Sequence, residues 1–137
     1  MVERVQNWIE HGKITVPLIC HSLTDKDEGI EIVLYPNLGS FNDVEEVLFK
    51  KIVVFFDSVI AYRNISESFY LKAFDKYCCR KSPLFIVKNS EWIKWLVEES
   101  YGVLESGKIV HYSIYSENDC IELLSETTPL VSFFSDF

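Results

Sequence analysis

The sequence predicts an α+β domain, a mostly antiparallel sheet of about five to seven strands with two to four packed helices. Three observations carry that expectation. Apolar runs such as IEIVLY and IVVFF have the period and composition of strands. The segment NSEWIKWLVEESYG repeats apolar residues at helical spacing behind a capping position. No linker, repeat or low-complexity tract divides the chain, so residues 1–137 are expected to form one domain. That length buries about two thirds of the surface the unfolded chain exposes.

At the N-terminus, Val2, Val5 and Ile9 stand at helical spacing with Gly12 as a stop, which predicts a short helix. Residues 14–21 read as a strand, and Pro17 places it at a sheet edge or across a bulge because proline lacks a ladder donor. After the polar turn TDKDEG, residues 29–35 alternate, with Ile30, Ile32 and Leu34 on one face. Ser40 and Asp43 open a second helical pattern. Residues 51–62 are apolar on both faces and predict a central strand covered from two sides. The stretch SESFYLKAFDKYCC is read as helical, with extended structure as the alternative.

Leu84 to Val87 predicts a short strand. Asn89 or Ser90 then caps a helix that turns Trp92, Ile93, Trp95 and Leu96 inward and ends at Gly102. The strands at 29–35, 51–62 and 109–115 are expected in one sheet, with this helix packed on it. Residues 109–115 and 120–124 pair as a hairpin in which Tyr115 faces Cys120 and Ser113 faces Glu122. His111, Ser113, Tyr115, Cys120 and Glu122 then share one side, expected to face solvent. A capping box at Ser116 and Asp119 offers a helix through Leu124 as the rival. Pro129 precedes a last strand, 130–134.

The formal charge is −8, which repels nucleic acid and anionic membranes and favours basic partners. No basic patch or glycine-rich phosphate loop is present. The opening residues lack the apolar core of a signal peptide, and no apolar run reaches the roughly 20 residues of a membrane span, so a cytoplasmic protein is expected. Cys20, Cys78, Cys79 and Cys120 form no C-x-x-C pair, which suits a reducing compartment. Three scattered histidines give no metal-ligand spacing, and no cofactor is expected.

His111, Ser113 and Glu122 invite a hydrolase reading, but no nucleophile turn or oxyanion loop accompanies them. Cys20 and His21 point to opposite faces of a strand. Asp57, Arg63 and Glu67 interrupt or follow the most apolar stretch, where Arg63 with Glu67 would be a structural ion pair. As a partner-binding surface we single out Asp57, Arg63, Glu67, Trp95, Tyr101, Glu117, Asp119 and Glu122, charged residues and aromatics of the kind that anchor protein interfaces. The chain carries 10 Phe, 7 Tyr and 3 Trp, more than a core of this size requires.

Three stretches, VIAYRNISESFYLKAF, FIVKNSEWIKWL and HYSIYSENDCIELLSETTPLV, cover about a third of the chain. Their pattern resembles small uncharacterised acidic proteins of low-GC bacteria, some thought to be immunity proteins of secreted toxins. The resemblance implies a non-enzymatic inhibitor that binds a basic toxin domain, with no catalytic residue to carry over. A small hydrolase using His111, or a subunit of a larger assembly that could be a homo-oligomer, are the alternatives.

Overall fold

The computed structural model describes residues 3–7, 14, 17–37, 49–69 and 83–135. Among them are nine strands and one α-helix. The strands are β1 (Arg4–Asn7), β2 (Leu18–Lys26), β3 (Gly29–Pro36), β4 (Lys51–Phe56), β5 (Ala61–Ser66), β6 (Leu84–Lys88), β7 (Val110–Tyr115), β8 (Asp119–Ser125) and β9 (Leu130–Phe134); the helix is α1 (Glu91–Glu99). They form two antiparallel sheets, ordered β1-β6-β7-β8-β5 and β2-β3-β4-β9. The expected single sheet with two to four helices is therefore corrected to two facing sheets with one helix among the described residues.

Period-two alternation builds the interior. On β3 and β4, Ile30, Ile32, Leu34, Ile52, Val54 and Phe56 are all buried, and Ile32 stands opposite Val54. The opposing sheet contributes Leu84, Tyr112, Ile114, Ile121 and Leu123 to the same cluster. Phe56 meets Tyr112 edge to face with ring centroids 5.3 Å apart, which ties the two inner faces together. β2 lies at the edge of its sheet, but it starts at Leu18, just after Pro17, and runs on to Lys26 through what was expected to be turn, with a register shift between Cys20 and Ser22. The turn into β3 requires glycine: Gly29 has φ 148°, and a Cβ there would run into the Phe56 carbonyl oxygen.

Residues 51–62 are not one strand. β4 ends at Phe56, the chain turns through Asp57 to Ile60, and β5 then joins the other sheet beside β8. The Ile60 N–H donates to the Leu124 carbonyl at 2.8 Å, which starts the new pairing. A run apolar on both faces reads as one buried strand, yet here it supplies a strand to each layer. The N-terminal helix is likewise corrected: Arg4–Asn7 is a strand whose Val5 pairs with Val87 and packs on Phe85, Tyr115 and Cys120. Two or three apolar residues at helical spacing are a weak local preference, and the open edge of β6 outweighs it. The helices expected after Ser40 and through most of 66–79 fall outside the described residues, except that Glu67–Phe69 is a single 3₁₀ turn.

α1 forms where expected. The Ser90 hydroxyl accepts the Ile93 N–H at 3.1 Å, and Asn89 reaches it through a left-handed conformation, φ 56°. Tyr101 and Gly102, also at positive φ, end the helix as their N–H groups turn back to the Glu98 and Val97 carbonyls. Ile93 is buried against Ile109 and Leu124, with Trp92 and Leu96 half-buried beside it. Trp95 was expected inward but is 54% exposed, because the apolar stripe of α1 is narrower than its aromatic content suggests.

Candidate functional site: a buried serine, histidine, glutamate and arginine cluster

The β7–β8 hairpin has the expected register: Tyr115 faces Cys120, Ile114 faces Ile121, Ser113 faces Glu122 and Tyr112 faces Leu123. β5 adds Arg63 directly opposite Glu122 on the other side. One row across three strands is thus Arg63, Glu122, Ser113, and His111 lies two residues along the same face of β7. α1 covers that face. His111 is 2% exposed, Ser113 0% and Glu122 2%, so the side expected to meet solvent is an interior surface. The correction has a simple cause: alternation separates the two faces of a hairpin but does not say which of them another element will cover.

The Ser90, His111, Ser113, Glu122 and Arg63 side chains are joined in one network. His111 Nε2 lies 3.1 Å from Glu122 Oε1, and Ser113 Oγ donates to the same oxygen at 3.3 Å. The other carboxylate oxygen takes Arg63 Nε at 2.6 Å and Nη2 at 2.6 Å. Ser90 Oγ is 2.7 Å from His111 Nδ1. Because Ser90 Oγ already accepts from the helix, its own proton is available for Nδ1, which leaves Nε2–H to face the carboxylate. Trp92 closes the roof, edge-on to the His111 ring at 5.4 Å and with the Arg63 guanidinium 4.1 Å from its ring centroid. Burial pushes the Glu122 carboxyl up, but the hydrogen bond from His111, with the charge and hydrogen bonds of Arg63, outweighs it and holds Glu122 below the usual carboxylate range.

Ser90, His111 and Glu122 are connected in the order of a hydrolase relay. The geometry around them is that of a lock. Ser90 is 4% exposed and its oxygen caps α1, so the nucleophile position is committed to holding the helix. Among the described residues, two thiols disfavour the thiolate: burial, then the charge of Asp119, raises Cys20 to about 11, and burial, then the charges of Glu122, Glu67 and Asp119, raises Cys120 to about 12. Cys20 packs at the edge of the main cluster, while His21 is exposed and meets Tyr35 edge to face.

The eight residues expected to form one partner surface lie in three places. Arg63 and Glu122 belong to the buried cluster, and Arg63 takes Glu122 as an ion partner where sequence proximity suggested Glu67. Glu67, Glu117 and Asp119 gather at the hairpin loop: Ser66 pairs with Asp119, and the Glu67 N–H donates to the Asn118 carbonyl. Glu117 holds the Asn37 side-chain amide there. Asp57 sits at the crossing between the sheets and accepts from the Thr127 hydroxyl at 2.6 Å. Trp95 and Tyr101 stand exposed on and just beyond α1, and Trp95 shares an open cleft with Glu3, Arg63, Glu91 and Trp92. Ser90, Trp92, Glu3 and Glu91 were missed as members of any site, since Ser90 read only as a cap and Trp92 only as core.

No family model, curated protein or solved structure matches the chain. Among the described residues, no helix is long and apolar enough to cross a membrane, and no group of three or more His, Cys, Asp or Glu residues could hold a metal ion.

Proposed function

We propose that this chain is a non-enzymatic, cytoplasmic protein-binding domain for a basic partner, of the kind an immunity protein forms with a toxin domain. One observation carries the reading. The outward side of α1 and the turn beyond it expose Trp95, Tyr101 at 98% and Val103 at 83%, interleaved with the exposed acids Glu91, Glu98 and Glu99. Exposed aromatics framed by charge are what a protein interface uses for affinity and orientation. The net charge of −8 adds long-range attraction for a basic protein. The buried cluster serves that surface by holding α1 rigidly on the sheet.

The test is association with the product of the neighbouring gene, followed between about 50 mM and about 500 mM salt. The association rate falls steeply with salt while dissociation changes little. Salt-independent binding, or none, would set the reading aside in favour of a subunit of a larger assembly.

A small hydrolase is the second reading, favoured by the Ser90–His111–Glu122 order and by a cleft of about 260 Å³ that Ser90 lines together with Ile93, Lys94 and Gly107. A fluorophosphonate probe decides it, because labelling of native protein at Ser90 requires an activated, accessible hydroxyl. We expect no labelling.

A further inference from the structure

The cleft beside Trp95 has a defined chemistry. It measures about 530 Å³ and is lined by Glu3, Arg63, Glu91, Trp92 and Trp95. Its inner wall already holds a cation: the Arg63 guanidinium lies against the Trp92 ring and is neutralised from beneath by Glu122. Trp95, three residues on from Trp92 and so on a neighbouring part of the helix surface, is the outer wall. Two carboxylates frame the opening. Glu3 Oε2 accepts the Glu91 N–H at 2.8 Å, which offsets the positive end of α1, and the Glu91 side chain is exposed. Arg63 is paired with Glu122, and Glu3 and Glu91 place two acids on the lining.

We infer that this cleft receives one arginine or lysine side chain of the basic partner, held between the Trp95 ring and the Glu91 and Glu3 carboxylates. The inference rests on the binding reading above and gives it an anchor point. A guanidinium or ammonium suits the site because indole faces and carboxylates both attract cations, whereas an anion would meet two like charges. The rim already shows the same pairing in miniature. Lys94 Nζ stands 3.2 Å from Glu91 Oε1, both side chains exposed, in an i,i+3 pair weak enough for an incoming cation to displace.

The experiment titrates the full chain with a fluorescent nona-arginine peptide and compares five variants. Trp95→Ala keeps the net charge and weakens binding about three- to tenfold, the range of one cation–π contact. Glu91→Gln weakens it more than Glu126→Gln, an exposed acid at the far end of β8 that removes the same charge elsewhere. Lys94→Gln strengthens binding more than Lys108→Gln, which removes an equal charge from an exposed pair with Glu105. If the wild type does not bind the peptide, the basic-partner reading falls and the cleft with it. If it binds and Trp95→Ala binds equally well, or Glu91→Gln matches Glu126→Gln, the cleft alone is overturned and the partner reading stands.

Discussion

Arg63 and Glu122 face each other across adjacent strands β5 and β8, with two guanidinium nitrogens each 2.6 Å from one carboxylate oxygen. They are 59 residues apart in the chain, and their union fastens the edge strand to the hairpin beneath α1. A pair with one member fully buried is revealed by removing one partner. Glu122→Ala leaves the His111 ring and the guanidinium facing an empty, water-poor site, and should cost about 3–5 kcal/mol in urea unfolding. Arg63→Ala should cost less, about 1.5–3 kcal/mol, because Arg63 is partly exposed and Glu122 keeps His111 and Ser113.

Acid should release the same lock. Glu122 is held below the usual carboxylate range in the folded chain and lies within that range when unfolded. As pH falls, the unfolded chain takes up the proton first, so the contribution of Glu122 is complete above the ordinary carboxylate range and is lost as pH falls through the folded value. The stability gap between wild type and Glu122→Gln should therefore be widest near neutrality and narrow towards about pH 3. A gap that stays constant would mean Glu122 is not ionised in the folded protein.

The two faces of α1 should respond oppositely to truncation. Ile93→Ala removes a buried side chain from the cluster with Ile109 and Leu124 and should cost about 2–5 kcal/mol. Trp95→Ala should stay within about 0.5 kcal/mol of wild type, since most of its surface is in water. Thermal unfolding of the pair separates a packing role from a surface role.

Ser90→Ala should cost about 1–2 kcal/mol by removing the helix cap, with the loss of the His111 contact added to that. Ser90→Thr keeps a hydroxyl at the same position and should recover most of it. Far-ultraviolet circular dichroism through the transition reports the helix directly.

The thiols give an independent check on burial. In a Cys78→Ser, Cys79→Ser background, the fully buried Cys120 should react with a thiol reagent at neutral pH only about as fast as the chain opens, while the half-buried Cys20 reacts faster. Rapid labelling of Cys120 in native protein would contradict its burial with Phe85, Val87 and Tyr115.

What the sequence by itself determined were the local patterns. Alternation placed Ile30, Ile32 and Leu34 on one inward face, the β7–β8 register followed from matching apolar residues across a short loop, and Ser90 with Gly102 bounded α1. These depend on neighbours a few residues apart, where steric and hydrogen-bonding preferences act directly. Only the tertiary structure decided which layer each strand joins, that residues 51–62 cross between sheets, and that α1 covers the polar side of the hairpin. The site followed from those choices: His111, Ser113 and Glu122 were legible as neighbours, but Arg63 and Ser90 reach them only because β5 and α1 are brought to the same sheet face by burial elsewhere. Such long-range pairings are set by the sum of apolar contacts over the whole chain, which no local spacing records.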